Sequence, residues 1–259
     1  MFFDTHAHYD DPRFDSDRHT LLPKIHADCV DLIVNSGESR KAVHAGVALA
    51  HQYPFLYTAV GIHPHYAKDM TEEDLELLRS TALTEDKVVA IGEIGLDYHY
   101  DNSPRRLQRY WFDEQLGLAE QLNLPVIIHS REAAQECFDM IAQSKVRQGV
   151  IHCYSGSVEM AKQYVEMGFY LGIGGVLTYN NAKKLVEVVQ QIDLSRLVLE
   201  TDCPYLAPVP CRGQRNDSSL LKYVAEKMAA IKGLSIEEIA AQTKQNGLDL
   251  FFGGKNPLS

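Results

Sequence analysis

Cysteine is scarce and scattered: Cys29, Cys137, Cys153, Cys203 and Cys211 are odd in number and form no CxxC pair. That spacing excludes a disulfide framework and a thiolate zinc site, and it sets the expectation of a reducing cytoplasm. Long apolar runs are also missing. Charges interrupt every stretch well short of the roughly 18 residues that would span a bilayer, so no membrane span is expected. The N-terminal Phe2-Phe3-Asp4-Thr5-His6 does not read as a signal peptide. Positive charge is in deficit, 25 Lys and Arg against 35 Asp and Glu, for a formal charge of −10. A basic surface that tracks a long polyanion is thereby disfavoured, whereas a short nucleic-acid end in a local pocket is not. Low-complexity segments, recurring motifs and linkers rich in Pro, Gly or Ser are absent too, which argues for one domain over all 259 residues, with 253–259 as a fraying tail.

What the chain does have is alternation. Apolar, β-branched runs at 2–6, 31–35, 56–62, 88–93, 125–129, 149–153, 169–173 and 196–202 read as eight strands. Between them lie amphipathic patterns, including 38–52, 72–80, 107–122, 133–143, 158–167 and 182–191, with 218–232 and 235–252 after the last strand. Strand then helix, eight times over, predicts an α/β fold of the (β/α)8 TIM-barrel type, whose active sites lie at the C-terminal strand ends. The irregular stretch 204–217, with three prolines and two arginines, follows the eighth strand and so falls on that face.

Metal-binding residue types concentrate at the same ends: His6 with His8, His63, Glu93, His129, His152 and Asp202. A single histidine of this kind is ordinarily a hydrogen-bonded core residue, but His19, His26, His44, His51, His65 and His99 lie on helices or loops, so histidine abundance alone does not produce the pattern. His6 and His8 are two apart and share a strand face, so they can grip one ion together. In a barrel Glu93, His129, His152 and Asp202 meet that pair, a set large enough for two divalent ions. Mixed N/O donors suit Zn, Mn, Fe or Ni and tolerate Mg, and a pair of ions about 3.5–4 Å apart implies hydrolysis.

Around this set, Arg131, Arg212 and Arg215 are candidate phosphate contacts, because the guanidinium fork suits phosphate oxygens; each alone reads more readily as a solvated surface charge, and it is their clustering in loops at the metal face that favours phosphate. His63 is expected to contact a substrate phosphate or support a ligand, with a structural hydrogen bond as the alternative. Glu200 shares a strand face with Asp202 and is expected to brace a liganding imidazole or an arginine; the alternative is a core carboxylate paired with Arg131. Tyr9, Tyr154, Tyr179 and Tyr205 are candidates for base stacking.

The motifs Asp4-Thr5-His6-Ala7-His8, Gly61-Ile62-His63-Pro64-His65, Gly92-Glu93-Ile94-Gly95-Leu96-Asp97, Pro125-Val126-Ile127-Ile128-His129-Ser130-Arg131, His152-Cys153-Tyr154-Ser155-Gly156 and Glu200-Thr201-Asp202-Cys203-Pro204-Tyr205-Leu206 occur in this order across nearly the whole chain. Together they resemble the successive signatures of TatD-family metal-dependent hydrolases. The resemblance implies a TIM-barrel metallohydrolase related to the amidohydrolases, with members that are 3′-to-5′ exodeoxyribonucleases on single-stranded or damaged DNA. It also implies one metal on His6, His8, Glu93 and Asp202 and another on Glu93, His129 and His152, with Glu93 bridging. For hydrolysis by a metal-held water, Asp202 is the expected proton acceptor. Two positions depart from the family pattern: Cys203 stands where alanine is usual, and Arg215-Asn216-Asp217 where Arg-Asn-Glu is usual.

The expected substrate is therefore a DNA end or short single strand, with no obligate protein partner evident. One rival is the same barrel cleaving an amide, lactone or ester of a small molecule or of aminoacyl-tRNA, since fold does not fix substrate. Glu93 stands where barrels bridged by a carboxylated lysine would need Lys. The other rival is a non-catalytic metal-binding scaffold, which has no need of an open metal position.

Overall fold

A computed structural model describes residues 1–258. Eight strands alternate with helices: β1 (Phe2–Ala7), α1 (Arg18–Asp28), β2 (Val30–Ser36), α2 (Arg40–Gln52), β3 (Leu56–Val60), α3 (Glu72–Thr84), β4 (Val88–Asp97), α4 (Arg105–Leu122), β5 (Val126–Arg131), α5 (Ala134–Gln143), β6 (Gly149–Ile151), α6 (Val158–Glu166), β7 (Tyr170–Ile173), α7 (Lys183–Gln191), β8 (Leu197–Leu199), α8 (Leu221–Lys232) and α9 (Ile236–Phe252). The strands form one sheet in the order β1 to β8, a nearly closed parallel barrel with alternating helices. None of the described helices is long and apolar enough to cross a membrane.

The chain folds as two compact units. The first, residues 1–35, 153–166 and 170–259, carries β1, β7 and β8 and nearly all of β2. Here β7 and β8 pair through Leu171–Leu197 and Ile173–Leu199, and Ala7 of β1 bridges to Cys203 just beyond β8. The second, residues 36–152 and 167–169, carries β3 to β6, with Gly95–His129 and Asp97–Arg131 in register between β4 and β5. Strands of a parallel sheet are covered on both sides and therefore read as unbroken apolar runs. All ten residues of β4 are buried.

The strand ends differ from the sequence expectation in an informative way. β4 runs on to Asp97 and β5 to Arg131, whereas β6 stops at Ile151 and β8 at Leu199. Beyond these short strands Cys153 and Asp202 take positive φ, 45° and 57°, so the chain turns there and His152 and Asp202 lie just past the strands instead of within them. No apolar stripe announces α1: it contains Pro23, and only Leu22 and Ile25 are buried. The pattern at 218–232 divides into a 3-10 turn at Ser218–Leu220 and α8. At the C-terminus Gly253 ends α9 in the left-handed conformation, and the Gly254 N–H donates to the Leu248 carbonyl (3.0 Å). Of the tail expected to fray, Ser259 lies outside the described residues.

Candidate metal centre

In the first unit β1 delivers His6 and His8 to one place. Their Nε2 atoms lie 3.0 Å apart, and Asp202 Oδ1 is 3.6 Å from His6 and 3.3 Å from His8. Asp202 is fixed there because its N–H donates to the His6 carbonyl (2.9 Å). Beneath them Asp4 is fully buried: Oδ1 accepts from the Thr201 N–H (2.9 Å), and Oδ2 accepts from the hydroxyls of Thr201 (2.7 Å) and Ser218 (2.6 Å). Burial nevertheless outweighs these bonds and pushes its pKa up to about 7. Asp4 ties β1 to the segment after β8, so it sets the spacing between the His6/His8 pair and Asp202.

Glu200 is buried and accepts the Cys153 N–H (2.6 Å), bracing the turn that follows His152. Room for it depends on Gly172, where a Cβ would sit 2.1 Å from Glu200 Oε2. The loop after β8 is held by Asn216, whose Nδ2 donates to the carbonyls of Thr201 (2.9 Å) and Tyr205 (2.7 Å). Asp217, the departure from the family pattern, accepts from the Ser219 N–H (2.8 Å) and caps a turn, work that a short carboxylate does well. Cys203 is wholly buried, as a small packing residue would be.

The arginines part company. Arg215 makes a two-pronged pair with Asp17 (2.8 and 2.6 Å) and donates to the Arg13 carbonyl (2.8 Å), which ties the β8 loop to the segment before α1. Arg212 is exposed with its guanidinium 4.4 Å from the Tyr179 ring centre. Of the tyrosines considered for stacking, Tyr9 and Tyr154 are buried and present no face to a base, while Tyr205 is exposed beneath the Arg13 guanidinium (4.1 Å).

In the second unit three imidazoles surround one carboxylate oxygen. Glu93 Oε1 lies 2.9 Å from His129 Nδ1, 3.5 Å from His152 Nε2 and 3.6 Å from His63 Nε2. Burial, and then the neighbouring His129, hold His63 well below the usual histidine range, which leaves it a neutral donor of a lone pair. Burial also works against protonation of His129, but its bonds to Asp97 and Glu93 prevail and raise it. Arg131 is exposed at the end of β5, over the Tyr100 ring at 4.6 Å.

Asp97 is the residue that sequence reasoning missed as part of this site. It lies in the Gly92–Asp97 motif, but its partners are visible only in three dimensions: His129 Nε2 at 3.1 Å and His65 Nε2 at 2.9 Å, both on Oδ2. The sole hint in the sequence was its parity with Glu93 and Gly95 along one strand.

Both clusters fit metal ions. Donors about 2.1 Å from a tetrahedral ion are spaced by about 3.4 Å. The separations of 3.3, 3.5 and 3.6 Å match that spacing better than they match hydrogen bonds. His63, Glu93 and His129 together form a group able to hold an ion.

A barrel with imidazole and carboxylate donors near and just past the ends of its strands defines a metal-dependent hydrolase. The chain belongs to the family of TatD-related DNases, whose pattern matches residues 3–252. It is 44% identical over 253 residues to YabD of Bacillus subtilis strain 168, named as an uncharacterized metal-dependent hydrolase, covering 97% of this chain and 99% of that one. It is 33% identical over 257 residues to the 3′-5′ ssDNA/RNA exonuclease TatD of Pantoea vagans, covering 96% and 98%. The crystal structure of the TatD homologue YjjV from Escherichia coli K12 superposes with a TM-score of 0.92 at 34% identity, covering 96% of this chain and 97% of that chain.

Proposed function

We propose that this chain is a 3′-to-5′ exodeoxyribonuclease that prefers single strands, acting as one catalytic domain with two divalent ions. The observation that carries the proposal is Glu93 Oε1 facing the nitrogens of His129, His152 and His63 at 2.9, 3.5 and 3.6 Å, a carboxylate placed to be shared. His6, His8, Asp202 and Glu93 would hold one ion; Glu93, His129 and His152 would hold the other. His63 would steady Glu93.

Bound ions would supply Lewis acidity and neutralise charge at the scissile phosphate. The chain's own groups do the rest. Asp202, whose side chain is 17% exposed, takes a proton from the attacking water as the O–P bond forms and returns it to the 3′ oxygen of the shortened strand as the ester P–O bond breaks, releasing a mononucleotide. Arg131 and Arg212, both exposed, bind phosphate oxygens. The name of the Pantoea vagans relative supports a single-stranded nucleic-acid substrate. The odd number and wide spacing of the cysteines lead us to place its action in a reducing cytoplasm.

The test uses chelator-stripped protein resupplied with Mg, Mn, Zn or Co and a 5′-labelled single strand. Stepwise shortening from the 3′ end that disappears again in excess chelator is expected. Rapid cutting of a closed circular single strand would make the enzyme an endonuclease. Turnover of amide or carboxylic ester substrates without nucleotide release would favour the rival chemistry.

A further inference from the structure

We infer that Tyr100 and Arg131 form a nucleotide subsite at the rim of the second cluster, where Tyr100 stacks on the base that lies on the strand side of the scissile phosphate and Arg131 takes a phosphate oxygen; the inference rests on the nuclease reading above. Tyr100 is 55% exposed, and its hydroxyl has no hydrogen-bond partner among the described residues. The ring is nevertheless held in place. The Tyr100 N–H donates to Asp97 Oδ1 (2.9 Å), and Asp97 Oδ2 lies 2.9 Å from His65 Nε2. The His65 ring stands nearly perpendicular to the Tyr100 ring, with centres 5.4 Å apart, and its centre is 4.3 Å from that of His63, which faces Glu93. His99 also meets the Tyr100 ring, at 4.9 Å. A single imidazole, that of His65, therefore separates Tyr100 from the residues around Glu93.

Arg131 comes to the same place along β5, two residues beyond His129 and so about 6–7 Å further out. Its guanidinium carbon lies 4.6 Å from the centre of the Tyr100 ring. Held by a ring instead of by a carboxylate, the guanidinium keeps its N–H groups for a ligand. Neighbouring charges do not compete for it: Glu132 is taken up by His99 (2.7 Å), and Asp101 is paired with Arg105 (3.2 Å). Arg131 makes no ion pair among the described residues.

An open aromatic ring beside an unspent guanidinium matches one nucleotide of a single strand. The guanidinium fork suits phosphate oxygens, and every base has a flat face that a tyrosine can cover. Within a duplex that face is already covered by neighbouring bases, so the subsite selects unpaired ends.

The test is equilibrium binding of the metal-loaded enzyme to a short single strand whose 3′-terminal linkages are phosphorothioates, which slow hydrolysis and keep the charge. Tyr100→Ala should weaken binding by about 5- to 100-fold, the value of one base–aromatic stack. Its bound metal and melting temperature should change little, and the log–log slope against salt should be kept, because no charge is removed. Tyr100→Phe, which keeps the ring, should bind as the wild type does. A strand that lacks the penultimate base should lose the same factor with the wild type, and Tyr100→Ala should then lose nothing more. Equal binding of intact and abasic strands by the wild type, or of the intact strand by wild type and Tyr100→Ala, overturns the subsite and leaves the nuclease reading standing. A weaker Tyr100→Ala with a reduced salt slope overturns the stacking role, because the ring would then serve only to prop Arg131. A wild type that binds no single strand overturns the nuclease reading itself.

Discussion

Glu93 is the residue on which the proposed chemistry converges, and its replacement is the sharpest single-residue test. Glu93→Gln keeps the shape but removes the charge, and the amide offers a donor where the carboxylate had only lone pairs. If Glu93 is shared, both ions should be lost together, and hydrolysis should fall by at least about 100-fold, more than after loss of one terminal ligand such as His8. Metal analysis of the purified variant checks this; full metal content with full activity would remove Glu93 from the bridging position. A second residue reports on pH. Asp74 accepts from the Thr71 N–H (2.9 Å) and from Arg40 (2.7 Å). Burial opposes its ionisation, but Arg40 and the Thr71 bonds outweigh it and hold the carboxyl below its ordinary value. The stability it contributes is therefore present above the unfolded carboxyl pKa of about 3.9 and is lost as pH falls through the lower folded value. Asp74→Asn should cost about 1 kcal/mol at pH 7 in urea titrations, discounted because Arg40 is half exposed, and the difference should close below about pH 4. Single residues were legible where type and position coincided, as with His6, His8, Glu93 and His129. Asp97 was not, because a carboxylate at the end of an apolar run gives no sign of which imidazole it will meet.

At the scale of elements the alternation of apolar runs and amphipathic stretches gave every strand, since a doubly covered parallel strand has no polar face to confuse the pattern. Strand ends were less legible. Just past the short strands the backbone N–H groups of Thr201 and Cys153 go to the carboxylates of Asp4 and Glu200, partners from distant parts of the sequence that no local pattern reveals. The β4–β5 pair shows how narrowly such elements are fitted. Gly95 has φ of 145°, and a Cβ there would sit 1.9 Å from the His129 carbonyl oxygen. Gly95→Ala therefore strains the backbone and pushes on the strand that carries a proposed ligand. The expected cost is about 3 kcal/mol or more, which lowers the melting temperature by about 6–12 °C in a chain of this size, with weaker zinc binding alongside. Calorimetry decides it: a loss under about 1 kcal/mol would mean that β4 and β5 part locally with ease.

For the whole molecule the question is how a chain with net charge −10 handles a polyanion. Long-range attraction is unfavourable, so binding of a single strand must come from a few local cations, and its salt dependence should be correspondingly shallow. The sequence identified three arginines as equals; their environments separate them. Arg131 and Arg212 are exposed and lie against tyrosine rings, an arrangement that leaves guanidinium hydrogens to be used. Arg215 already spends its fork on Asp17 and the Arg13 carbonyl. If the first two hold phosphates, each change to Ala should reduce the log–log slope of oligonucleotide binding against salt by about 0.7 while bound metal stays constant. Arg215→Ala should instead leave the slope unchanged and cost about 1 kcal/mol of stability, seen as a melting temperature lower by about 2–4 °C. Measuring slope, metal content and melting temperature for all three variants distinguishes the roles. A reduced slope in Arg215→Ala alone would mean that substrate displaces Asp17 and that the loop tether is itself the phosphate site.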